Sequence, residues 1–202
     1  MSSNNNIFAF WSWFEDNLGR IRTVLLDPSH PDREYVVSSL DQHILAIGTF
    51  TWDIEKGMHR PWSLTISPNG DPDLLEQTKA IVEQAPDLAG WEFYPAHQPK
   101  KQDFAFTVYD EEMNQRAVDA NPWHYVLIPA SGRQHTLLIE AGNCPHLDDN
   151  TLYAAVNHLV TCLLGEETKI HRIADIEIVD ELDEEHHKAA KPIVQLGLGV
   201  SE

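Results

Sequence analysis

Residues 63–86 read SLTISPNGDPDLLEQTKAIVEQAP, and residues 136–160 read TLLIEAGNCPHLDDNTLYAAVNHLV. Both run from a strand-like apolar segment, alternating in the first, through a polar turn, into a segment with apolar residues at steps of three and four. Alternation is the period of a half-buried strand; three-and-four spacing is that of a helix. Asp71 is a suitable N-cap, with Pro72 at the first helical position, and Asp148 or Asp149 caps the second helix. A strand that hands over to a capped helix, twice, is the basis for reading this chain as α+β.

The pattern extends outward from these segments. Phe50, Trp52 and Ile54 alternate, and so do Trp62, Leu64 and Ile66 after EKGMHRP, which predicts two half-buried strands joined by a short loop. Leu74, Thr78, Ile81, Val82 and Ala85 form the next helical face, ended by Pro86. GWEFYPAH and DFAFTVYD predict two further strands, the first an edge strand or strand end because Pro95 limits its ladder. EEMNQRAVDANP fits a short helix or a loop. WHYVLIPA and QHTLLIEA form a hairpin around Ser131 and Gly132. Leu152, Val156, Leu159, Val160 and Leu163 make a strong helix closed by Gly165, and TKIHRIADIEIVD reads as a final long strand.

Two helices precede all of this. Ile7, Phe10, Trp11, Phe14, Leu18, Ile21 and Leu25 share one face, with Trp13 off it. LDPSHPD breaks this helix, and a second runs from Pro31 with Val36, Leu40, Ile44 and Ile47 on its face. The expected architecture is α+β: a mostly antiparallel sheet with helices on one face, two N-terminal helices, and a ββαβ rhythm that suggests internal duplication. One domain is expected over residues 1–180, made of a helical part (1–47), a first ββαβ-like unit (48–109) and a second (122–180). Residues 181–202 form an acidic and apolar tail, whose end, PIVQLGLGV, has no clear place.

The chain has 202 residues, enough to bury a sizeable core, and six tryptophans favour a packed one. It carries 32 acidic against 14 basic residues, a formal net charge of −18. That field repels nucleic acid and anionic lipid and attracts a basic protein. Two cysteines do not make a disulfide framework, MSSNNN has no basic leader segment, and IFAFWSWF is too short to span a bilayer. A soluble cytoplasmic protein with both thiols reduced is expected, as monomer or homodimer, with no cofactor.

FWSWFEDN near the N-terminus and APDLAGWEFYPAHQPKKQDF in the middle resemble a group of small acidic bacterial proteins. Their recurring features are an aromatic N-terminal helix ending in a carboxylate and an asparagine, and an alanine–proline, leucine, tryptophan, phenylalanine, proline string. The resemblance implies a bacterial, cytoplasmic protein. It carries no catalytic residues with it.

The residues themselves offer few sites. Trp91, Tyr94 and His97 line an exposed groove if GWEFYPAH is more than a helix-to-strand corner. His97, Asp103, His124 and His135 fall on neighbouring predicted strands, and His124 and His135 are symmetric about the hairpin turn, so an acid–base pair or metal site is conceivable there. Cys144, His146 and Asp148, with His158 and Cys162 four residues apart on the next helix, are the best local metal cluster. Glu184, His186 and His187 are a weaker one, more simply read as a solvated helical turn. There is no glycine-rich phosphate loop, G-x-S-x-G, H-E-x-x-H or C-x-x-C. The function expected is a non-catalytic protein-binding or regulatory module, like the small acidic inhibitors that protect a cell from a toxin. The alternative is a metal-assisted hydrolase or another small-molecule enzyme using the strand histidines.

Overall fold

Helix α1 (Ser2–Leu26) and helix α2 (Arg33–Leu45) open the chain, as the periodicity requires. A computed structural model describes residues 2–27 and 29–199. The break expected over Leu26–Asp32 separates α1 from α2, with Pro28 itself outside the described residues, as is the end of the tail, Val200–Glu202. The chain divides into two compact units, Met1–Ala96 and His97–Glu202.

In the first unit, Ile7, Phe10, Trp11, Phe14 and Ile21 of α1 are buried, and Leu18 and Leu25 are partly so. Strands β1 (Thr51–Glu55) and β2 (Trp62–Ser67) form the expected antiparallel hairpin, with Thr51 opposite Ser67. Helix α3 (Pro72–Val82) follows, and Asp71 caps it by accepting from Asp73 N–H at 2.8 Å. Strand β3 (Trp91–Tyr94) then lies parallel to β2, at the edge of the sheet β1-β2-β3. β2 is not half-buried as its alternation suggests. Leu64 and Ile66 are buried on one face, and Ser63, Thr65 and Ser67 on the other. A central strand covered on both sides can carry small hydroxyls on one of them, and their polarity imitates a solvent face.

The second unit begins with a hairpin, β4 (Ala105–Tyr109) and β5 (Gln115–Asp119), a separate two-stranded ribbon. Here EEMNQRAVDANP is neither helix nor loop alone: a turn at 110–114 leads into a strand. β5 buries only Val118, so it has no apolar alternation to reveal it. Strands β6 (His124–Pro129) and β7 (His135–Glu140) pair antiparallel as expected. Helix α4 (Asp149–Leu164) crosses over, capped by Asp148. Helix α5 (Glu166–Arg172) and strand β8 (Ile173–Val179) replace the single long strand expected from TKIHRIADIEIVD. Gly165, at φ 75°, ends one helix and starts the next, and the carboxylates Glu166 and Glu167 in the first turn suit a helix N-terminus. β8 lies parallel to β7.

The two sheets repeat one path. A hairpin is followed by a helical crossover into a strand parallel to the hairpin's second strand, giving β1-β2-β3 in one unit and β8-β7-β6 in the other. The first repeat ends at Tyr94; the strand at 105–109, grouped with it by sequence, belongs to the second unit. The protein is α+β with antiparallel-rich sheets, and each repeat adds one parallel pair.

The core of the second unit lies between α4 (Ala155, Val156, Leu159, Val160) and one sheet face (Tyr125, Leu137, Ile139). Residues after 180 are not all a free tail. Helix α6 (Glu184–Ala189) is solvated, with none of its residues buried. Beyond it, strand β9 (Lys191–Pro192) pairs with β6. A 3-10 turn (Ile193–Gln195) and helix α7 (Leu196–Gly199) then bury Ile193 and Leu196 in the core. Among the described residues, no helix is long and apolar enough to cross a membrane.

Candidate functional site

Trp91 does not line a groove. It is 1% exposed and packs edge-on against Phe14 (ring centroids 5.0 Å) and stacked near Phe93 (6.4 Å). Period two places Trp91 and Phe93 on the face that meets α1, so the aromatic density of WEFY is core. Tyr94 is half-buried, and its hydroxyl donates to Glu92 Oε2 at 2.7 Å. Burial, then the neighbouring carboxylate, pushes the Tyr94 phenol up to about 12. Glu92 also accepts from Met58 and His59 N–H, both at 2.7 Å, so it anchors the loop between β1 and β2. Burial alone would raise the Glu92 carboxyl; these donors outweigh it and hold the group below its ordinary range.

The four residues proposed for acid–base or metal chemistry do not converge. His97 and Asp103 lie on a loop rather than on strands. His124 sits opposite Glu140 and His135 opposite Pro129, at opposite ends of the hairpin. Symmetry about a turn brings together residues equally far from it on the two strands. His124 begins β6 and His135 begins β7, so the strand length separates them, roughly 17 Å at 3.4 Å per residue. His124 Nδ1 lies 3.4 Å from Glu140 Oε2 instead. His135 Nδ1 is buried without a hydrogen-bond partner.

The cysteine–histidine cluster divides in two. His158 Nε2 lies 3.6 Å from Cys162 Sγ, the contact their spacing implies. His146 turns the other way: its Nε2 donates to Ala117 O at 2.9 Å, since a carbonyl only accepts. Both cysteines are free and buried, and burial pushes the Cys144 thiol up, away from thiolate chemistry. Asp148 is engaged with Thr151 N–H and Oγ1. His186 Nδ1 lies 2.9 Å from its own cap residue, Asp183. Among the described residues, no group of three or more His, Cys, Asp or Glu is placed to hold a metal ion.

What the second unit builds is a cleft of about 510 Å³ over the β4–β5 ribbon, walled by Asn143, Cys144 and His146. The ribbon supplies its floor, including Ala105, Thr107, Ala117 and Asp119. Asn143 holds the wall in place. Its amide donates to Asp119 O at 2.7 Å, and its Oδ1 accepts from Trp123 Nε1 at 2.8 Å. Asp119 is exposed, and the Asn121 side chain and N–H keep its carboxyl below the ordinary range. The ribbon's lining mixes small residues with Phe106 and Val118 and carries one carboxylate, Asp119. Sequence reasoning missed Asn143 and Asp119 because β5 carries no strand pattern; the N-x-x-H spacing in GNCPH was the only hint.

No protein-family model matches the chain, and neither a curated protein nor a solved structure matches it.

Proposed function

We propose that this chain is a non-catalytic module that binds another, basic protein and regulates it, in the manner of a small acidic inhibitor in a bacterial cytoplasm. One observation carries the reading. The edge strand β8 and the segment after it present Asp175, Glu177, Glu181, Glu184 and Glu185, all exposed, with no lysine or arginine between Arg172 and Lys188. An unneutralised band on a chain of net charge −18 raises the association rate of a positively charged surface and penalises an acidic one. The likeness of FWSWFEDN and APDLAGWEFYPAHQPKKQDF to small acidic bacterial proteins supports the bacterial setting.

The test is affinity capture from bacterial lysate at low and moderate salt, followed by pairwise binding of any captured protein. A basic protein bound at low salt, weakened as salt rises and weakened further by Asp175→Lys with Glu177→Lys, is the expected result. No specific protein captured, or one indifferent to salt and to both reversals, overturns the reading.

A further inference from the structure

We infer that the free edge of β4 is a docking edge, to which an extended, basic-flanked segment of a partner adds as a third strand; this rests on the protein-binding reading. The inference starts from what the other edges carry. β1 has Asp53 and Glu55, β3 has Glu92, β5 has Arg116 and Asp119, β8 has Asp175 and Glu177, and β9 is Lys191–Pro192. Charges and proline are the usual guards against strand addition. On β8 the guard is direct, since Asp175 Oδ1 accepts from Ile176 N–H at 2.9 Å. β4 reads AFTVY and has neither charge nor proline.

The ribbon's register says which groups β4 offers. Ala120 N–H donates to Phe104 O at 2.7 Å, and Asp110 N–H donates to Asn114 O at 3.0 Å. Paired and unpaired residues alternate along an antiparallel ladder. Phe106 and Val108 therefore bond across to Val118 and Arg116, while Ala105, Thr107 and Tyr109 turn N–H and C=O outward. The same alternation turns Ala117 and Asp119 outward on β5, and there His146 and Asn143 occupy both carbonyls. So, among the described residues, β5's edge is closed by side chains and β4's is open. Ala105, Thr107 and Tyr109 are also exposed, Tyr109 at 55%.

The occupant's chemistry follows from the flanks. Asp103 precedes β4, and Glu111 and Glu112 follow it, all exposed. A second copy pairing antiparallel through β4 would set Asp103 against Glu111 and Glu112, like charge against like. An incoming strand with Lys or Arg near its ends meets Asp103 on one side and Glu111 and Glu112 on the other; Lys100 and Lys101 lie farther out beyond Asp103, so the acidic end at Glu111 and Glu112 is the stronger attraction. A long basic side chain on that strand also has room to cross Ala105 toward Asp119, its cross-ribbon neighbour in the cleft. Main-chain bonds would give affinity and the cleft selectivity, as in other strand additions.

The probe is a twelve-residue peptide (a length of roughly two typical strands) of alternating Thr and Val with two lysines at each end, read by amide hydrogen exchange and NMR. It is expected to slow exchange of the Thr107 and Tyr109 amides at least tenfold, and a glutamate-ended version to bind at least tenfold more weakly. Thr107→Pro removes an outward N–H without breaking the ribbon ladder, and it is expected to abolish binding. N-methylation of alternate probe residues does the same without altering the protein. Binding that survives both changes, or no protection of these two amides, overturns the inference. A β4-dependent dimer in sedimentation also overturns it, in favour of self-pairing. A basic protein that is captured but still binds Thr107→Pro leaves the protein-binding reading standing and removes the edge. If no protein is captured, the broader reading fails.

Discussion

Glu166 and His97 are bonded to each other twice: Glu166 N–H donates to His97 O at 2.8 Å, and Glu166 Oε2 accepts from His97 N–H at 3.0 Å. Lys100 N–H adds a third bond, to Cys162 O at 2.8 Å. These contacts fasten the segment that opens the second unit onto the junction of α4 and α5. The junction needs a glycine: a Cβ on Gly165 would lie 2.7 Å from Pro99 Cδ, at a φ of 75°. Glu166 is 4% exposed, so its carboxylate is a buried acceptor. Glu166→Ala should destabilise the fold by about 2–3 kcal/mol, the cost of stranding a buried partner. Glu166→Gln keeps an acceptor oxygen and should cost less than half of that. Urea midpoints of the two variants check this, and equal losses would mean that the carboxylate's charge is what matters and a neutral acceptor of the same size does not replace it.

Trp91 is a core residue in this fold, so its substitution should act on stability. Trp91→Ala is expected to cost about 3–5 kcal/mol. Its Nε1 is buried without a hydrogen-bond partner, so Trp91→Phe loses ring area but also removes a stranded donor, and should cost much less than the alanine change. Thermal unfolding of the pair decides it. A Trp91→Ala protein with wild-type stability and lost partner binding would restore the groove reading.

These two cases show what was legible. The helical faces of α1 and α4 follow from period, because each helix buries one face; β6 and β7 are buried on both faces and read instead as short apolar runs flanking a Ser-Gly turn. The fold class was therefore readable. The site was not. Trp91, Phe93 and Tyr94 advertise either a core or a groove, and only the position of α1 over β3 chooses between them. β5 escaped notice because Gln115, Arg116, Ala117 and Asp119 are exposed, and a strand that buries one residue has no period. Asp148 and Asp149 are equivalent as letters; the bond from Thr151 N–H picks Asp148.

His43 gives a pH dependence. Its ring lies 4.7 Å from that of Trp13, and burial lowers its pKa from 6.5. The unfolded chain therefore takes up the proton first as pH falls. The stability from neutral His43 is fully present above about 6.5 and is lost progressively as pH drops from there through the folded value. His43→Gln should flatten the stability curve below pH 7. Unfolding midpoints of both proteins between pH 5 and 8 measure it, and parallel curves would remove His43 as a contributor.

The separation of His124 and His135 makes a prediction about coupling. Residues that share a metal or a proton give strongly non-additive double mutants. At opposite ends of a hairpin these two should be independent. The double alanine variant should lose the sum of the single losses to within about 0.5 kcal/mol. A larger coupling energy, or a loss of bound metal in the double variant alone, would bring back the convergent site that the register of β6 and β7 rules against.

The last prediction concerns the turn that holds the β4–β5 ribbon. Asp110 gathers it: Oδ1 accepts from Glu112 N–H at 3.0 Å and Asn114 N–H at 2.8 Å, and Oδ2 accepts from Arg116 Nε at 2.8 Å. That wrapping forces Met113 to φ 64°, in the left-handed region, although its side chain is 73% exposed. A methionine there carries a backbone strain of about 1–2 kcal/mol with no burial to offset it. Asparagine tolerates the conformation better, so Met113→Asn should raise stability by about 0.5 kcal/mol, read as a higher urea midpoint at unchanged slope. The same variant separates two uses of the turn. If Met113 only closes the ribbon, partner binding is unchanged; if its exposed side chain touches the partner, binding weakens while the fold grows more stable.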